Sequence, residues 1–267
     1  MAALLLRAKI EPAICSGASE KHHTIFMLKK LFPSLAVAAS CLISISATAQ
    51  STHTPAPAND SPASAVMATL PWEFGPFFQG GVGVSDRSDF SFTSAGVRLG
   101  KVITDQHLPG FLRGQFEYAG ELMPYWQSFT PAPHLQLTKY EFQGQTGYAL
   151  YPYNGGTFTG ISITPIILRW DLKPRKRIVP FAQGAGGLLW TNHKYPPDII
   201  VAHGEPGGTS VWNFTPQFGV GFQYFVKPKQ SVTFEANAIH ISSASLGDRN
   251  PGVNASVQFQ IGYAWWR

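Results

Sequence analysis

The stretch WNFTPQFGVGFQYFV, residues 212–226, decides the fold. Trp212, Phe214, Pro216, Phe218, Val220, Phe222 and Tyr224 share one parity; Asn213, Thr215, Gln217, Gly219, Gly221 and Gln223 share the other. A β-strand sends successive side chains to opposite faces. One face here is aromatic and aliphatic, and the other is small or amide. Residues 253–266 repeat the pattern, with Val257, Phe259, Ile261, Tyr263 and Trp265 alternating with Ser256, Gln258, Gln260, Gly262 and Ala264. Neither stretch contains a charged residue, whereas a soluble sheet exposes charge on its solvent face. The pattern fits a membrane barrel with lipid outside and a polar lumen within.

Similar segments recur near 72–84, 90–104, 111–127, 157–171, 178–190, 211–226, 230–242 and 253–266. Eight strands make the small-barrel number. The expected fold is therefore all-β, an eight-stranded antiparallel transmembrane up-and-down barrel over residues 71–267. With both ends periplasmic, the inner connections TDQHLPG, LKPRKRI and KPK are short, and two outer connections, 128–156 and 191–210, are long. That asymmetry is usual for outer-membrane barrels. The short outer turn at 85–89 departs from it, and residues 137–150 can form a further hairpin. Trp72, Trp170, Trp265 and Trp266 fall at inner strand ends and Trp126, Trp190 and Trp212 at outer ends, as two interfacial girdles would require.

The formal net charge is +5, from 20 Lys and Arg against 15 Asp and Glu. Residues 1–49 hold five of the bases and two of the acids, which leaves +2 for the rest. No basic stripe, zinc-finger spacing or P-loop accompanies that balance, so no nucleic-acid partner is expected. Residues 27–49, MLKKLFPSLAVAASCLISISATA, read as a signal peptide: Lys29 and Lys30, an apolar run from Leu31 to Ile45, and Ala47-Thr48-Ala49 before Gln50. Residues 1–49 are thus leader, with Met27 the expected start. Cys15 and Cys41 both lie there, so the mature chain has no thiol. A lipidated Cys41 would want an aliphatic residue where Ala38 stands. Residues 50–70, rich in Pro, Ala, Ser and Thr, read as a disordered periplasmic linker.

One short constellation looks chemical: NAIHISSASLGDRNPGVN, residues 237–254. His240 and Ser242 share a face with Val232, Phe234, Ala236 and Ala238, while Thr233, Glu235 and Asn237 take the lumen face. Strand direction sets His240 and Ser242 at the outer rim, facing lipid. Polar groups there are costly unless they serve a function. An imidazole beside a hydroxyl is the minimum for a nucleophile with its base. The alternative is a rim histidine that simply reaches toward headgroups. A second cluster, His193, Asp198, His203 and Glu205, has no compact metal-ligand spacing and reads as a solvated outer loop. No metal or cofactor is expected.

The signal peptide, the eight strands and the His-x-Ser at the end of strand seven together resemble the PagL-type lipid A 3-O-deacylases, outer-membrane esterases also labelled acyloxyacyl hydrolases. The resemblance is best over 230–267 and architectural before that. It implies that Ser242 is the nucleophile and His240 the base. Asn250-Pro251-Gly252-Val253-Asn254 resembles the family's Asn-x-Gly-x-Glu and implies an orienting role for Asn254, with Asp248 as a substitute. Two departures stand out: Ser243 replaces the usual Asn after the nucleophile, and Asn254 replaces the acid. The implied substrate is lipid A or lipopolysaccharide in the bacterial outer membrane, with the outer-membrane lipids around it; the oligomeric state is open. The alternative is a non-enzymatic surface barrel whose long outer loops bind a partner.

Overall fold

The computed structural model describes residues 61–197, 210–244, 246 and 254–267. A short helix, α1 (Pro62–Met67), precedes β1 (Trp72–Gly83), β2 (Ser91–Val102), β3 (Gly114–Phe129), β4 (His134–Phe142), β5 (Gln145–Tyr153), β6 (Thr157–Leu172), β7 (Ile178–Tyr195), β8 (Ser210–Lys227), β9 (Gln230–His240) and β10 (Ala255–Trp266). Eight of the strands close a barrel in the order β1-β10-β9-β8-β7-β6-β3-β2. All its ladders are antiparallel.

The expected hairpin inside 128–156 does form, as β4 and β5, which pair only with each other. It continues the β3–β6 ladder upward: Thr130 N–H donates to Gly156 O at 2.9 Å, and Gly156 N–H donates to Thr130 Oγ1 at 2.9 Å. The barrel count of eight therefore stands. β7 and β8 are 18 residues long, although about 9–11 tilted residues cross a bilayer. Their outer ends rise above the membrane, whereas β9 and β10, with 11 and 12 residues, stop near the rim.

Polarity is inverted relative to a soluble protein. Phe259 is 65% exposed, while its chain neighbours Gln258 and Gln260 are 2% and 5% exposed. Phe78, Phe218, Val220 and Ile261 also lie on the outside. Such a belt would aggregate in water; in lipid it is what the solvent demands.

Side chains fill the lumen in three layers. At the periplasmic end Ala63, Val66 and Met67 of α1 pack on Val102, Val179, Phe225, Ala264 and Trp266. Ser61 caps the helix by accepting the Ser64 N–H, and Pro62 opens its first turn. Gln115 Nε2 donates to Met67 O at 3.2 Å, tying α1 to β3. The expectation of disorder over 50–70 is thus corrected for 61–70: the apolar Ala63, Val66 and Met67 lie at helical spacing and cover the barrel's open end. Residues 50–60, like the leader, lie outside the described residues.

In the middle layer Arg98 reaches Glu73, Glu121 and Glu117 at 3.2, 3.2 and 2.9 Å. Arg169 bonds Gln183 at 3.0 Å, lies 3.7 Å from Glu235 and stacks 3.9 Å over the Phe181 ring. In the outer layer Phe90, Phe92, Trp126, Phe158, Leu189, Tyr195, Ile239 and Ile241 cluster. The Tyr195 ring stands edge-on to Trp126 and Phe158 at 5.5 and 5.3 Å. Two members of the expected tryptophan girdles are therefore corrected. Trp126 and Trp266 are 5% and 1% exposed and point inward into the two apolar layers. Trp266 shares the inward parity of Ala264, whereas Trp126 faces inward because a register shift between Met123 and Trp126 reverses the alternation that buries Gln115, Glu117 and Glu121.

Candidate active site

β9 arrives at the outer rim between β8 and β10. His240 pairs with Ala255 of β10, and Ile239 with Gln217 of β8. The regular strand ends there, yet the extended backbone continues two residues further. Ile241 N–H donates to Asn254 O at 2.8 Å on one side. On the other, Ser242 and Phe214 exchange both main-chain bonds, at 2.9 and 2.6 Å. The alternation therefore runs unbroken from Ser231 to Ser243. Ile239, Ile241 and Ser243 are buried inward; His240 and Ser242 are half-buried on the outer face. The structure brings these two side chains to one face at the rim, as the sequence pattern predicts.

A tight turn follows. Ala244 N–H donates to Ser242 Oγ at 3.2 Å, and Leu246 N–H to Ser243 O at 2.9 Å. Ala244 sits at φ 46°, a left-handed conformation uncommon for a residue with a Cβ.

The surroundings of the pair are apolar. Phe214, Pro216 and Phe218 on β8 and Val257 on β10 are exposed on the same outer face, and Ala238 and Ala255 are its smallest members. A hydroxyl and an imidazole thus stand at the edge of a hydrocarbon-facing wall. An ester whose acyl chain lies in the outer leaflet would present its carbonyl at this height.

Asn254 is placed differently. Its side chain is 4% exposed and on the lumen side, opposite His240, and its Nδ2 has no hydrogen-bond partner among the described residues. Ser243, the residue in place of the family's usual Asn, is 2% exposed and also faces inward. Neither side chain meets His240 across the sheet. Asp248 lies outside the described residues, as do Asp198, His203 and Glu205 of the other cluster considered. The lumen network around Arg98 and Arg169 was legible only in part. Glu235 was expected there, but it meets Arg169 of β6 and Gln183 of β7, and the network goes on through β1, β2 and β3, which no local pattern joins.

Comparison with known proteins supplies a family. The model of the family described as "Lipid A 3-O-deacylase (PagL)" matches residues 113–264. Among solved structures, the outer membrane enzyme PagL is 14% identical, covering 71% of this chain and 98% of its own, with a TM-score of 0.36. Neisserial surface protein A is 14% identical, covering 73% of this chain and 96% of its own, at a TM-score of 0.41. The beta domain of the Bordetella autotransporter Brka is 12% identical, covering 73% of this chain and 99% of its own, at 0.25. No curated protein sequence matches the chain.

Proposed function

This chain belongs to the PagL family of lipid A 3-O-deacylases, and on that premise we propose that Ser242 is its nucleophile and His240 its general base. The protein is a bacterial outer-membrane barrel, and its family's reaction is removal of an ester-linked acyl chain from lipid A. The observation that supports the residue assignment is the shared outward face of His240 and Ser242 at the rim, beside the exposed Phe214 and Val257.

The chemistry follows from those positions. Ser242 Oγ attacks the acyl carbonyl while His240 takes its proton. The tetrahedral intermediate collapses, and His240 returns the proton to the departing sugar oxygen. Water, deprotonated by His240, then attacks the acyl-enzyme carbonyl; His240 passes that proton to the departing Ser242 Oγ, and the fatty acid is released. With Ser243 turned inward, the oxyanion needs a main-chain donor, and the N–H after the nucleophile is in the usual place for one. Asn254 acts as a positioning residue through its carbonyl, which holds Ile241 between the two reacting side chains. No metal or cofactor has a part in this scheme.

The test is release of fatty acid from lipid A by purified barrel in mixed micelles, followed by mass spectrometry. Ser242→Ala is expected to lower the rate by about 1,000-fold or more. Wild-type-like release by that variant would remove Ser242 from the mechanism. A second reading has one observation in its favour: Asn254 and Ser243, the two departures from the family pattern, both face the lumen. On that reading the barrel is non-enzymatic and its outer loops bind a partner. Absence of deacylation by folded wild type on every lipid A supplied would select it.

A further inference from the structure

On the far side of the barrel from His240, the outer wall carries a groove of about 500 Å³ between β1, β2, β3 and β6. Its origin is local. The β3–β6 register slips between Ala119 and Glu121, and Gly120 has no side chain to fill the gap. Leu99, Leu122 and Ile163 wall the depression with Pro165, and the inward-facing Arg98, Glu121 and Thr164 floor it with main chain. At its periplasmic end stand Trp72, Lys101 and Tyr118, on the strand ends that face the periplasm.

Among the described residues lining the groove, Lys101 is the charged side chain on the outer face, since Arg98 and Glu121 point into the lumen. Its Nζ donates to Leu70 O at 2.5 Å and lies 5.3 Å from the Trp72 ring. Among the described residues it meets no carboxylate, although the neighbouring lumen is rich in them. An ammonium at interface height beside a tryptophan is set for a headgroup phosphate. The apolar channel running from it toward the bilayer centre matches one acyl chain. Charge and shape therefore select the same occupant, an anionic phospholipid of the periplasmic leaflet.

We propose that this groove binds one anionic phospholipid, its phosphate on Lys101 and one acyl chain over Gly120. The site is separate from the deacylase rim and does not depend on the catalytic assignment. Gly120 gives the means of testing it. A Cβ there would meet Thr164 O at 3.5 Å, an ordinary contact, so Gly120→Phe fills the groove without forcing the backbone. Gly184, outward on β7 with nothing within 4 Å of a Cβ, provides the control Gly184→Phe.

The experiment is native mass spectrometry of barrels purified from micelles containing phosphatidylglycerol or phosphatidylcholine, with band shift on heating as the check of folding. Wild type and Gly184→Phe are expected to retain one phosphatidylglycerol per barrel. Lys101→Gln should retain at least about threefold less, and folded Gly120→Phe none. Equal retention of the two lipids, no retention by wild type, or undiminished retention by folded Gly120→Phe and Lys101→Gln would overturn the proposal. So would a change in oligomeric state by Gly120→Phe without change in lipid, which would make the groove a contact between copies.

Discussion

Arg98 touches three buried glutamates at once. A buried charge that loses its partner costs far more than the pair contributes over an apolar substitute. Arg98→Ala is therefore expected to destabilise the barrel by about 3–5 kcal/mol, read as a fall in the urea midpoint of the micelle-bound protein. At the rim, His240→Ala should reduce fatty-acid release almost as far as Ser242→Ala, and both variants should fold, because the two side chains face outward and bridge no core layer. Asn254 separates two geometries. If its carbonyl does the positioning, Asn254→Ala costs about tenfold or less in kcat. Asn254→Glu then buries a carboxylate on the lumen side and lowers the urea midpoint. A rise in activity from Asn254→Glu would instead mean that the side chain swings out to His240. The outward placement of His240 and Ser242 could be read from alternation alone, since the main-chain bonds of Ile241 and Ser242 preserve the strand parity past its formal end. The inward turn of Asn254 follows from the same parity, yet the sequence motif suggested contact with His240. Parity, fixed by main-chain pairing, decided the outcome.

Among the elements, α1 departs from expectation and the β4–β5 hairpin meets it. α1 is six residues long, too short to be stable alone, and its order comes from Met67 and Val66 packing under Trp266 and Phe225. Trp266→Ala should cost about 3–5 kcal/mol by opening a cavity in that layer, and should expose the 61–70 segment to added protease before the barrel itself is cut. The hairpin shares no ladder with the barrel wall beyond the β3–β6 continuation. Replacing residues 131–155 with a short Gly-containing turn should leave the heat-dependent gel shift unchanged. An unfolded product would show that the hairpin supports the wall. A helix that depends on distant packing leaves a weak local signal, whereas a hairpin of alternating residues around Gly144 leaves a strong one.

At the largest scale, the barrel is a wall with a filled interior. An apolar layer at each end encloses a layer of paired charges, and the lumen holds side chains where a pore would hold water. Reconstituted barrels should give no stepwise conductance in planar bilayers; ohmic steps that scale with salt would contradict the packing. The protein should fractionate with outer membranes and shift on heating. The leader assignment makes a separate claim: N-terminal sequencing of the mature protein is expected to begin at Gln50, and any residue from 1–26 would refute it.

The sequence by itself determined the number of barrel strands, the face taken by residues in unbroken alternation such as β8 and β9, and the height of His240 and Ser242 on the wall. A period of two is local, and lipid on one side leaves no ambiguity about which parity is apolar. It also held the family resemblance, because His-x-Ser at the end of a strand lies within one short segment. Only the tertiary structure decided what closes the ends of the barrel, which acids Arg98 and Arg169 hold, and that a groove opens beside Gly120. Those features join residues far apart in the chain across a closed sheet, and closure sets their distances; no pattern along one strand records which strands will face each other across the lumen.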